Sequence, residues 1–386
     1  MTEWKTYRLG DVIEKIIDNR GKSAPISEDK FQPIIEINSL GGRTPDYTVV
    51  RKWVSEKTYN TWFRSGHPVV GDILIPTVGT IGIVSMMNEN RGCIAQNVIA
   101  LRVKSNVCGL FIYYYLKSDV VRQQLLNLNI GGVQPSIKVP HLLNLEISLP
   151  SMEEQRRIAG ILGAIDDKIE NNRRINTNLE SQAQALFDKI FFDDNDAERN
   201  PLSDYADINP TRTLRQGVVA RYIEMANLPT RGSFPSDWSY KSYGGGCKFA
   251  NGDTIMARIT PCLENGKTAY IDFLEEQEVA FGSTEYIVIS AKNGYCPALF
   301  YFLARNKEFV DYAVGHMNGS SGRQRVSGAD IATFPMPHIT LEESNKFAEI
   351  AMPIMDVIRN NSLENRHLTT LRDTLLPKLM NGEIKL

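Results

Sequence analysis

The chain has 386 residues, of which 42% are hydrophobic and 23% are charged, and its formal net charge is −2. This length predicts two domains with connecting segments, and the composition excludes a disordered chain. No apolar run reaches the roughly 18 residues of a membrane span, no apolar signal core opens the chain, and the five cysteines show no Cys-x-x-Cys spacing. We therefore expect a cytoplasmic protein without a membrane span, a disulfide framework or a structural zinc site.

Residues 1–150 predict a first globular unit of mixed α/β structure. Strands are predicted at residues 31–37, 71–75 and 97–103, a helix at residues 110–126, and a closing strand at residues 145–150. This unit carries 17 Lys and Arg against 13 Asp and Glu, whereas residues 151–199 carry 7 against 11. A near-neutral chain with one mildly basic unit is compatible with DNA binding, but it predicts weak non-specific affinity on its own.

Residues 151–192 predict one long helix. Ser151 and Glu154 form a capping box, and apolar residues then recur at the alternating spacings that are typical of a coiled-coil seam. Two asparagines, Asn172 and Asn176, occupy the seam near its middle. Its apolar positions are Ile158, Leu162, Ile165, Ile169, Leu179, Ala183, Leu186 and Ile190.

Residues 193–338 predict a second globular unit with the same order of elements as the first. An acidic linker at residues 193–198 precedes predicted strands at residues 252–256 and 285–289. A helix that starts at Ala298 and a closing segment at residues 331–337 follow.

Residues 339–386 predict a second long helix, which repeats the first at an offset of 189 residues. Thr340 and Glu343 repeat the capping box. This copy contains two prolines: Pro353 is expected to kink the first half of the helix, and Pro377 is expected to bend or end it. An internal repeat of this size indicates a duplicated architecture.

Antiparallel pairing of the two helices would place asparagine opposite asparagine and apolar residues opposite each other elsewhere. A buried polar layer lowers stability but specifies register, so we assign Asn172, Asn176, Asn361 and Asn365 to the register of a coiled coil. The alternative is that the helices do not pair and the asparagines are solvated. The sequence thus predicts an α+β fold, in which two mixed α/β domains are joined by two long helices that form an antiparallel coiled coil.

Sequence motifs of common enzymes are absent. The chain has no phosphate-binding loop, dinucleotide fingerprint, His-Glu-x-x-His pair or Gly-x-Ser-x-Gly elbow. Its five histidines are scattered and suggest neither a triad nor a metal site. We therefore predict no catalytic residues, no bound metal and no cofactor in this chain.

Several motifs occur in an order, and in duplicate, that resembles one family. A strand at residues 71–74 leads into a polar glycine loop at residues 77–82, and the strand start at residues 95–97 and the glycine loop at residues 131–137 follow. The first helix opens with Leu149-Pro150-Ser151-Met152-Glu153-Glu154-Gln155-Arg156-Arg157-Ile158. The chain closes with Leu375-Leu376-Pro377-Lys378-Leu379-Met380-Asn381-Gly382-Glu383-Ile384. Over essentially the whole chain, these motifs resemble the DNA specificity subunit of type I restriction–modification systems.

The resemblance implies target-recognition domains at residues 1–150 and 193–338, each reading one half of a bipartite, double-stranded DNA target. The helices at residues 151–192 and 339–386 would act as spacers. Expected partners are two methyltransferase subunits that bind S-adenosylmethionine, and motor-nuclease subunits that use ATP and Mg. The second copy departs from the pattern by having Ser344 where the first has Gln155, and by carrying Pro353.

Loop residues that can distinguish base edges or bind phosphates are the predicted DNA contacts. Arg323, Gln324 and Arg325 stand out because two cations flank an amide at the position that matches residues 134–136 in the repeat. In the first domain the candidates are Arg20, Lys22, Arg43, Thr77, Thr80, Gln96, Gln134, Ser136 and Lys138. In the second they are Arg231, Lys241, Lys248, Arg258, Thr260, Lys267, Ser283, Thr284, Arg323, Gln324 and Arg325.

The charged outer faces of the helices are the predicted docking surface for protein partners. Arg156, Arg157, Arg173 and Arg174 are the candidates, and a merely solvated face is the alternative. Other functions remain open: a self-contained enzyme with degenerate motifs, a coiled-coil scaffold that does not bind DNA, and a recognition subunit of a methylase-only or phage-defence system without a restriction motor.

Overall fold

The computed structural model describes residues 4–127, 135–194, 196–292, 294–320, 322–384 and 386. The chain divides into two compact units: unit 1 comprises Met1–Lys168 and His367–Leu386, and unit 2 comprises Ile169–Arg366. Within the described ranges, no helix has the length and apolar character that crossing a membrane requires.

Unit 1 is built on an antiparallel sheet with apolar residues on both faces. Its strands, in chain order, are β1 (Lys5–Arg8), β2 (Ile13–Asp18), β3 (Gln32–Ile35), β4 (Trp53–Val54), β5 (Ile73–Pro76), β6 (Ser85–Met86), β7 (Cys93–Ile94), β8 (Val98–Val103) and β9 (Glu146–Leu149). The main sheet has the order β2-β8-β5-β6, a smaller one has the order β4-β3-β7, and β1 pairs with β9. Alternation along β8 explains why its whole run is apolar: Ile99 and Leu101 face one core cluster, whereas Val98 and Ala100 face another.

Helix α1 (Glu56–Trp62) packs beside the smaller sheet. Helices α2 (Gly109–Lys117), α3 (Asp119–Asn127), α4 (Val139–Leu143) and the first part of α5 (Met152–Phe191) cover one face of the main sheet. The single helix predicted at residues 110–126 is wrong, because Ser118 interrupts it. The Ser118 hydroxyl donates a hydrogen bond to the carbonyl of Tyr115 at 2.7 Å, and its backbone is extended. A serine that bonds the preceding turn competes with continuation of the helix.

Unit 2 repeats this architecture strand for strand in its main sheet. Its strands are β10 (Arg199–Pro201), β11 (Ala206–Ile208), β12 (Val219–Ile223), β13 (Ser239–Ser242), β14 (Lys248–Phe249), β15 (Asp253–Ala257), β16 (Thr268–Tyr270), β17 (Ala280–Gly282), β18 (Tyr286–Ala291) and β19 (Pro335–Pro337). Its helices are α6 (Pro297–Arg305), α7 (Lys307–Gly315), α8 (Gly328–Ala332) and α9 (Leu341–Met380), of which α9 continues into unit 1.

The two main sheets have equivalent orders, β2-β8-β5-β6 and β11-β18-β15-β16. The smaller sheets share a parallel pair, β3 with β7 and β12 with β17, and β10 pairs with β19 as β1 does with β9. The sheets of the two units therefore follow the repeated order of elements that the sequence predicts for the two globular units. The segment predicted at residues 331–337 is a strand only at β19, since α8 occupies its beginning.

The long helices pack against each other in antiparallel fashion, as predicted, and each unit contains a part of both. In unit 2, Phe187 of α5 packs against Phe347 of α9. In unit 1, Leu162 of α5 shares a core cluster with Leu376 and Leu379 of α9. Most of the predicted seam is buried or partly buried in these domain cores, but Ile190 is exposed. The α+β fold with paired long helices is thus confirmed.

The second long helix is continuous through both prolines, so neither ends it. Pro353 lies on the exposed side of α9. A proline leaves one carbonyl of the preceding turn without its intrahelical donor, and water satisfies that carbonyl on an exposed face.

The asparagines of the seam form a polar layer within unit 2. Asn172 is 1% exposed, and its amide donates to Asn365 Oδ1 at 3.0 Å and to Glu364 Oε2 at 2.7 Å. Asn361 donates to Asn176 Oδ1 at 2.8 Å. Asparagine therefore lies opposite asparagine, in the antiparallel order that the register hypothesis requires.

The departure at Ser344 preserves a contact of the first copy. In unit 1, Gln155 Oε1 accepts a hydrogen bond from the Cys108 backbone at the start of α2, at 3.0 Å. In unit 2, Ser344 Oγ accepts one from the Cys296 backbone at the start of α6, at 2.8 Å. Both side chains satisfy an N-terminal backbone donor of the helix that packs beside them, so the two residue types have the same structural role.

Replacing Thr340 by alanine should destabilise unit 2 by about 1 kcal/mol. Thr340 Oγ1 accepts a hydrogen bond from the Glu343 backbone at 3.2 Å, and Glu343 Oε2 accepts one from the Thr340 backbone at 2.9 Å. Thermal unfolding measures the effect. Thr340→Ser retains the hydroxyl and should lie close to the wild type, and equal losses in both variants would contradict a capping role.

Candidate nucleic-acid interface

In unit 1, two loops that are far apart in sequence are joined by backbone hydrogen bonds. The glycine loop after β5 forms an isolated bridge between Val78 and Ser136. Gly79 donates to the Pro135 carbonyl at 2.9 Å, and the Ile137 backbone donates to the Thr77 carbonyl at 2.8 Å. The predicted candidates Thr77, Thr80, Ser136 and Lys138 therefore lie in two adjoining loops, which we call loop pair 1 (residues 77–80 and 135–138), although Thr77 is buried there.

Unit 2 contains the same arrangement. Ile259 forms a bridge with Arg325, and the Thr260 backbone donates to the Gln324 carbonyl at 3.1 Å. The Val326 backbone donates to the Arg258 carbonyl at 3.0 Å. We call this surface loop pair 2 (residues 258–260 and 323–326). The repeat thus produces one such surface in each unit.

Loop pair 2 is held by an ion pair between Arg325 and Glu285, the residue that precedes β18. Arg325 donates from Nε to Glu285 Oε2 at 2.8 Å and from a terminal nitrogen to Glu285 Oε1 at 2.7 Å. These hydrogen bonds from Arg325 lower the pKa of the Glu285 carboxyl. The Arg258 backbone donates to the Glu285 carbonyl at 3.0 Å, so Arg258, Arg325, Ser283 and Thr284 lie around one acidic residue.

Several predicted DNA contacts have exposed side chains. Gln96 lies two residues before β8, and Thr284 lies at the equivalent position before β18. Arg323 lies at the tip of loop pair 2. Among the described residues, the Arg323 guanidinium has no hydrogen bond or ion pair. The exposed candidates are Arg20, Lys22, Thr80, Gln96, Lys138, Arg231, Lys241, Thr284 and Arg323.

Other predicted contacts are engaged within the protein. Arg20 pairs with Asp18, and its hydrogen bonds lower the pKa of that carboxyl. Lys241 pairs with Glu224 at 2.6 Å. Two further lysines donate to backbone carbonyls at 2.6 Å, namely Lys248 to Arg212 and Lys267 to Met225. Thr77 is buried, and Gln134 lies outside the described residues.

Arg43 contacts the long helix of unit 1. Its guanidinium forms an ion pair with Asp167 and donates to the Gly163 carbonyl of α5 at 3.2 Å. Arg43 therefore ties its loop to the helix. Its DNA contact remains a prediction, as do those of the other candidates.

The four predicted docking arginines are exposed on α5. Arg173 lies 3.9 Å from Glu170, and Arg174 donates to Asn171 Oδ1 at 3.0 Å. Arg156 and Arg157 are exposed near the helix start. These contacts are local to the helix surface and leave the docking hypothesis as a prediction.

Two residues that the sequence predictions missed are hydrogen-bonded to the loop pairs. Asn97 and Glu285 occupy equivalent positions, directly after Gln96 and Thr284. The Thr77 backbone donates to the Asn97 carbonyl at 2.9 Å, as Arg258 does to Glu285. The repeat offset at the β8 and β18 strands is a sequence signal that identifies this pair, although the residue types differ.

The cysteines and the possible metal-ligating side chains do not cluster in the described part of the chain. No group of three or more metal-ligating side chains is present there. All five cysteines are free thiols, and burial raises the pKa of Cys93 to about 12.

Known proteins resemble this chain as follows. A family model described as the type I restriction modification DNA specificity domain matches residues 1–181. The specificity subunit of the type I restriction enzyme MjaIX from Methanocaldococcus jannaschii is 26% identical over 354 residues, which cover 82% of this chain and 78% of the relative. The specificity subunit of the type I restriction enzyme HindI from Haemophilus influenzae is 23% identical over 473 residues and covers 100% of both chains.

One solved structure supports the fold. The S subunit of a type I restriction–modification system from M. genitalium aligns with a TM-score of 0.64 at 17% identity, over 98% of this chain and 96% of that one. At this identity, the likeness concerns the fold alone.

Proposed function

Because residues 1–181 match the type I restriction modification DNA specificity domain and the chain resembles type I specificity subunits over most of its length, we propose that it recognises a bipartite DNA target, with each domain reading one half. The observation that carries this proposal is the duplication of the loop pair. Loop pair 1 and loop pair 2 have the same backbone connections but different side chains, such as Ser136 against Arg325. The residues hydrogen-bonded beside them also differ, with Asn97 in unit 1 and Glu285 in unit 2. Two equivalent surfaces with different side chains suit a target with two different halves.

The chain would act without chemistry of its own and would position catalytic partners on DNA. We propose that methyltransferase subunits dock on the exposed arginines of α5 and that motor-nuclease subunits join them. S-adenosylmethionine, ATP and Mg would be bound by those partners. A base that is methylated must leave the duplex for a catalytic pocket, and this task would belong to the methyltransferase.

A methylase-only or phage-defence system without a restriction motor is the alternative assembly. The relatives MjaIX and HindI are named as restriction enzymes, and these names favour the assembly with a nuclease. Co-purification of the tagged chain with its partners distinguishes the assemblies, since a motor-nuclease subunit is present in one and absent in the other.

Single-molecule methylation sequencing of the source genome tests the proposed function. We expect a split motif, methylated at adenine in both halves, that disappears when this gene is deleted and returns when it is restored. A methylation pattern that is the same with and without the gene would argue for a scaffold that does not guide methylation.

Replacing Arg323 by alanine should weaken DNA binding by a similar factor on all sequences. The exposed Arg323 guanidinium is a candidate phosphate contact, and loss of one such contact reduces the slope of log affinity against log salt by about 1. Titration of the assembled complex at several salt concentrations measures this slope. Lys346→Ala, which removes an exposed cation of α9, is the control, and equal slopes for all three proteins would exclude the phosphate contact.

A further inference from the structure

Unit 1 contains a cavity of about 200 Å³ beside loop pair 1. Its walls include Trp62 and Phe63 at the end of α1 and Ile94 of β7. Asn97 and its exposed neighbour Gln96 line it at the start of β8, and the exposed Lys22 contributes a cation.

The Asn97 amide in this cavity is not satisfied by the protein. Its Oδ1 is buried and has no hydrogen-bond partner among the described residues. Buried polar atoms without a partner cost free energy, so an orphaned amide in a cavity points to a ligand. Asn97 is one of the residues that line the cavity, so a group that enters it would lie beside this side chain.

The equivalent position in unit 2 shows the contrast. Glu285 replaces Asn97 there, and the Arg325 guanidinium of loop pair 2 donates hydrogen bonds to both carboxylate oxygens of Glu285. The residue of loop pair 1 that matches Arg325 is Ser136, whose short side chain brings no cation to this position. The site is therefore closed by an ion pair in unit 2 and left with an unsatisfied amide in unit 1.

The size and chemistry of the cavity restrict the ligand. Pockets for small molecules usually measure roughly 300–1,000 Å³, so a cavity of about 200 Å³ suits a single planar ring system. Aromatic side chains such as Trp62 and Phe63 can stack on a base. A side-chain amide offers one acceptor and one donor, and these match the N6 amino group and N7 of adenine.

We propose that this cavity takes one adenine base of the target half that the first domain reads, and that Asn97 selects it by pairing with its N6 and N7 edge. This inference rests on the proposed function and adds a residue and a base to it. Entry of a whole ring requires the base to leave the stack, and the aromatic wall would replace part of the lost stacking.

Variants of Asn97, expressed in a strain that lacks the gene, test the proposal through the methylated motif. Asn97→Leu removes the amide at similar volume. Discrimination for adenine at one position should fall by roughly 5- to 150-fold, whereas the other half of the motif should not change. Asn97→Asp leaves acceptors only, and acidic side chains accept from the amino group of cytosine, so preference at that position should shift to cytosine. Asn106→Ala, an exposed amide of the same unit, should leave the motif as in the wild type.

Each result decides a different claim. If the methylated motif is unchanged in both Asn97 variants, this inference is overturned but the proposed function stands. The same holds if specificity is relaxed at a base other than adenine. If Asn97→Leu abolishes methylation, the motif methylated with Asn97→Asp decides the question. A motif with cytosine in place of one adenine supports the proposal. Loss of all methylation in both variants overturns it, because a specificity contact changes the motif whereas a purely structural residue removes it. If deletion of the gene itself leaves every motif intact, the proposed function fails first.

Discussion

Replacing Asp166 by alanine should destabilise unit 1 by about 3 kcal/mol, because it leaves a buried cation without its main partner. Asp166 is 5% exposed, and its carboxylate accepts from the Arg372 guanidinium at 2.8 Å and from the Tyr114 hydroxyl at 2.8 Å. Burial, together with the negative Asp166, raises the pKa of Tyr114, which therefore keeps its proton to donate. The expected loss lies at the low end for a broken buried pair, since Arg372 keeps a bond to Asp373.

Urea unfolding and hydrogen exchange in β5 and β8 measure this loss. The neighbouring Asp167 provides a matched control, because its side chain is 72% exposed and pairs with Arg43. Asp167→Ala should cost about 1 kcal/mol or less, as exposed ion pairs usually do. Equal costs for the two alanine variants would show that burial of Asp166 is not the decisive property.

The stability of unit 2 should fall as the pH rises from about 4 to 7, and Asp272→Asn should remove most of this dependence. Burial raises the pKa of Asp272 from an ordinary 3.8 to about 7 against the lowering effect of Arg359, and Asp356 raises it by a smaller amount. The folded state then binds a proton that the unfolded state releases, so the free energy of unfolding decreases with pH up to about 7. At roughly 1.4 kcal/mol per pKa unit, the penalty at pH 8 is about 4 kcal/mol at most.

Unfolding of the wild type and of Asp272→Asn across this pH range measures the difference. The two proteins should be similar near pH 4, and the asparagine variant should be the more stable one at pH 7 and above. Asp207→Asn, an exposed carboxylate on β11, should follow the wild-type profile. A wild-type stability that rises with pH, or parallel curves for Asp272→Asn and the wild type, would contradict the burial of a titrating carboxyl here.

Local signals were sufficient to predict the long helices, their starts and their duplication. The capping boxes at Ser151 and Thr340 depend on residues three positions apart, and the seam depends on a spacing that any helix imposes. The strands within the two domains were predicted only in part. The strands β5, β8, β15 and β18 carry long apolar runs, whereas β6, β7 and β14 have two residues each and leave no periodic signal.

The candidate site could be predicted as residue types but not as a surface. Arg43 and Arg323 look alike in the sequence, yet Arg43 pairs with Asp167 of the long helix, whereas Arg323 lies exposed at a loop tip. Asn97 was missed because an asparagine at a strand start is also a common turn residue. Its unsatisfied oxygen is a property of its surroundings and cannot be read from its neighbours in the chain.

The sequence by itself determined the architecture: two mixed α/β domains, two long helices, and asparagines placed to face each other. These features follow from periodicity and from an internal repeat, which are properties of residues close in the chain or equivalent by duplication. Only the tertiary structure decided which charges are paired, which loops join, and which polar atoms remain without a partner. Those outcomes depend on contacts such as Asp166 with Arg372 and Ile259 with Arg325, whose partners are far apart in sequence and are brought together by burial of a shared core.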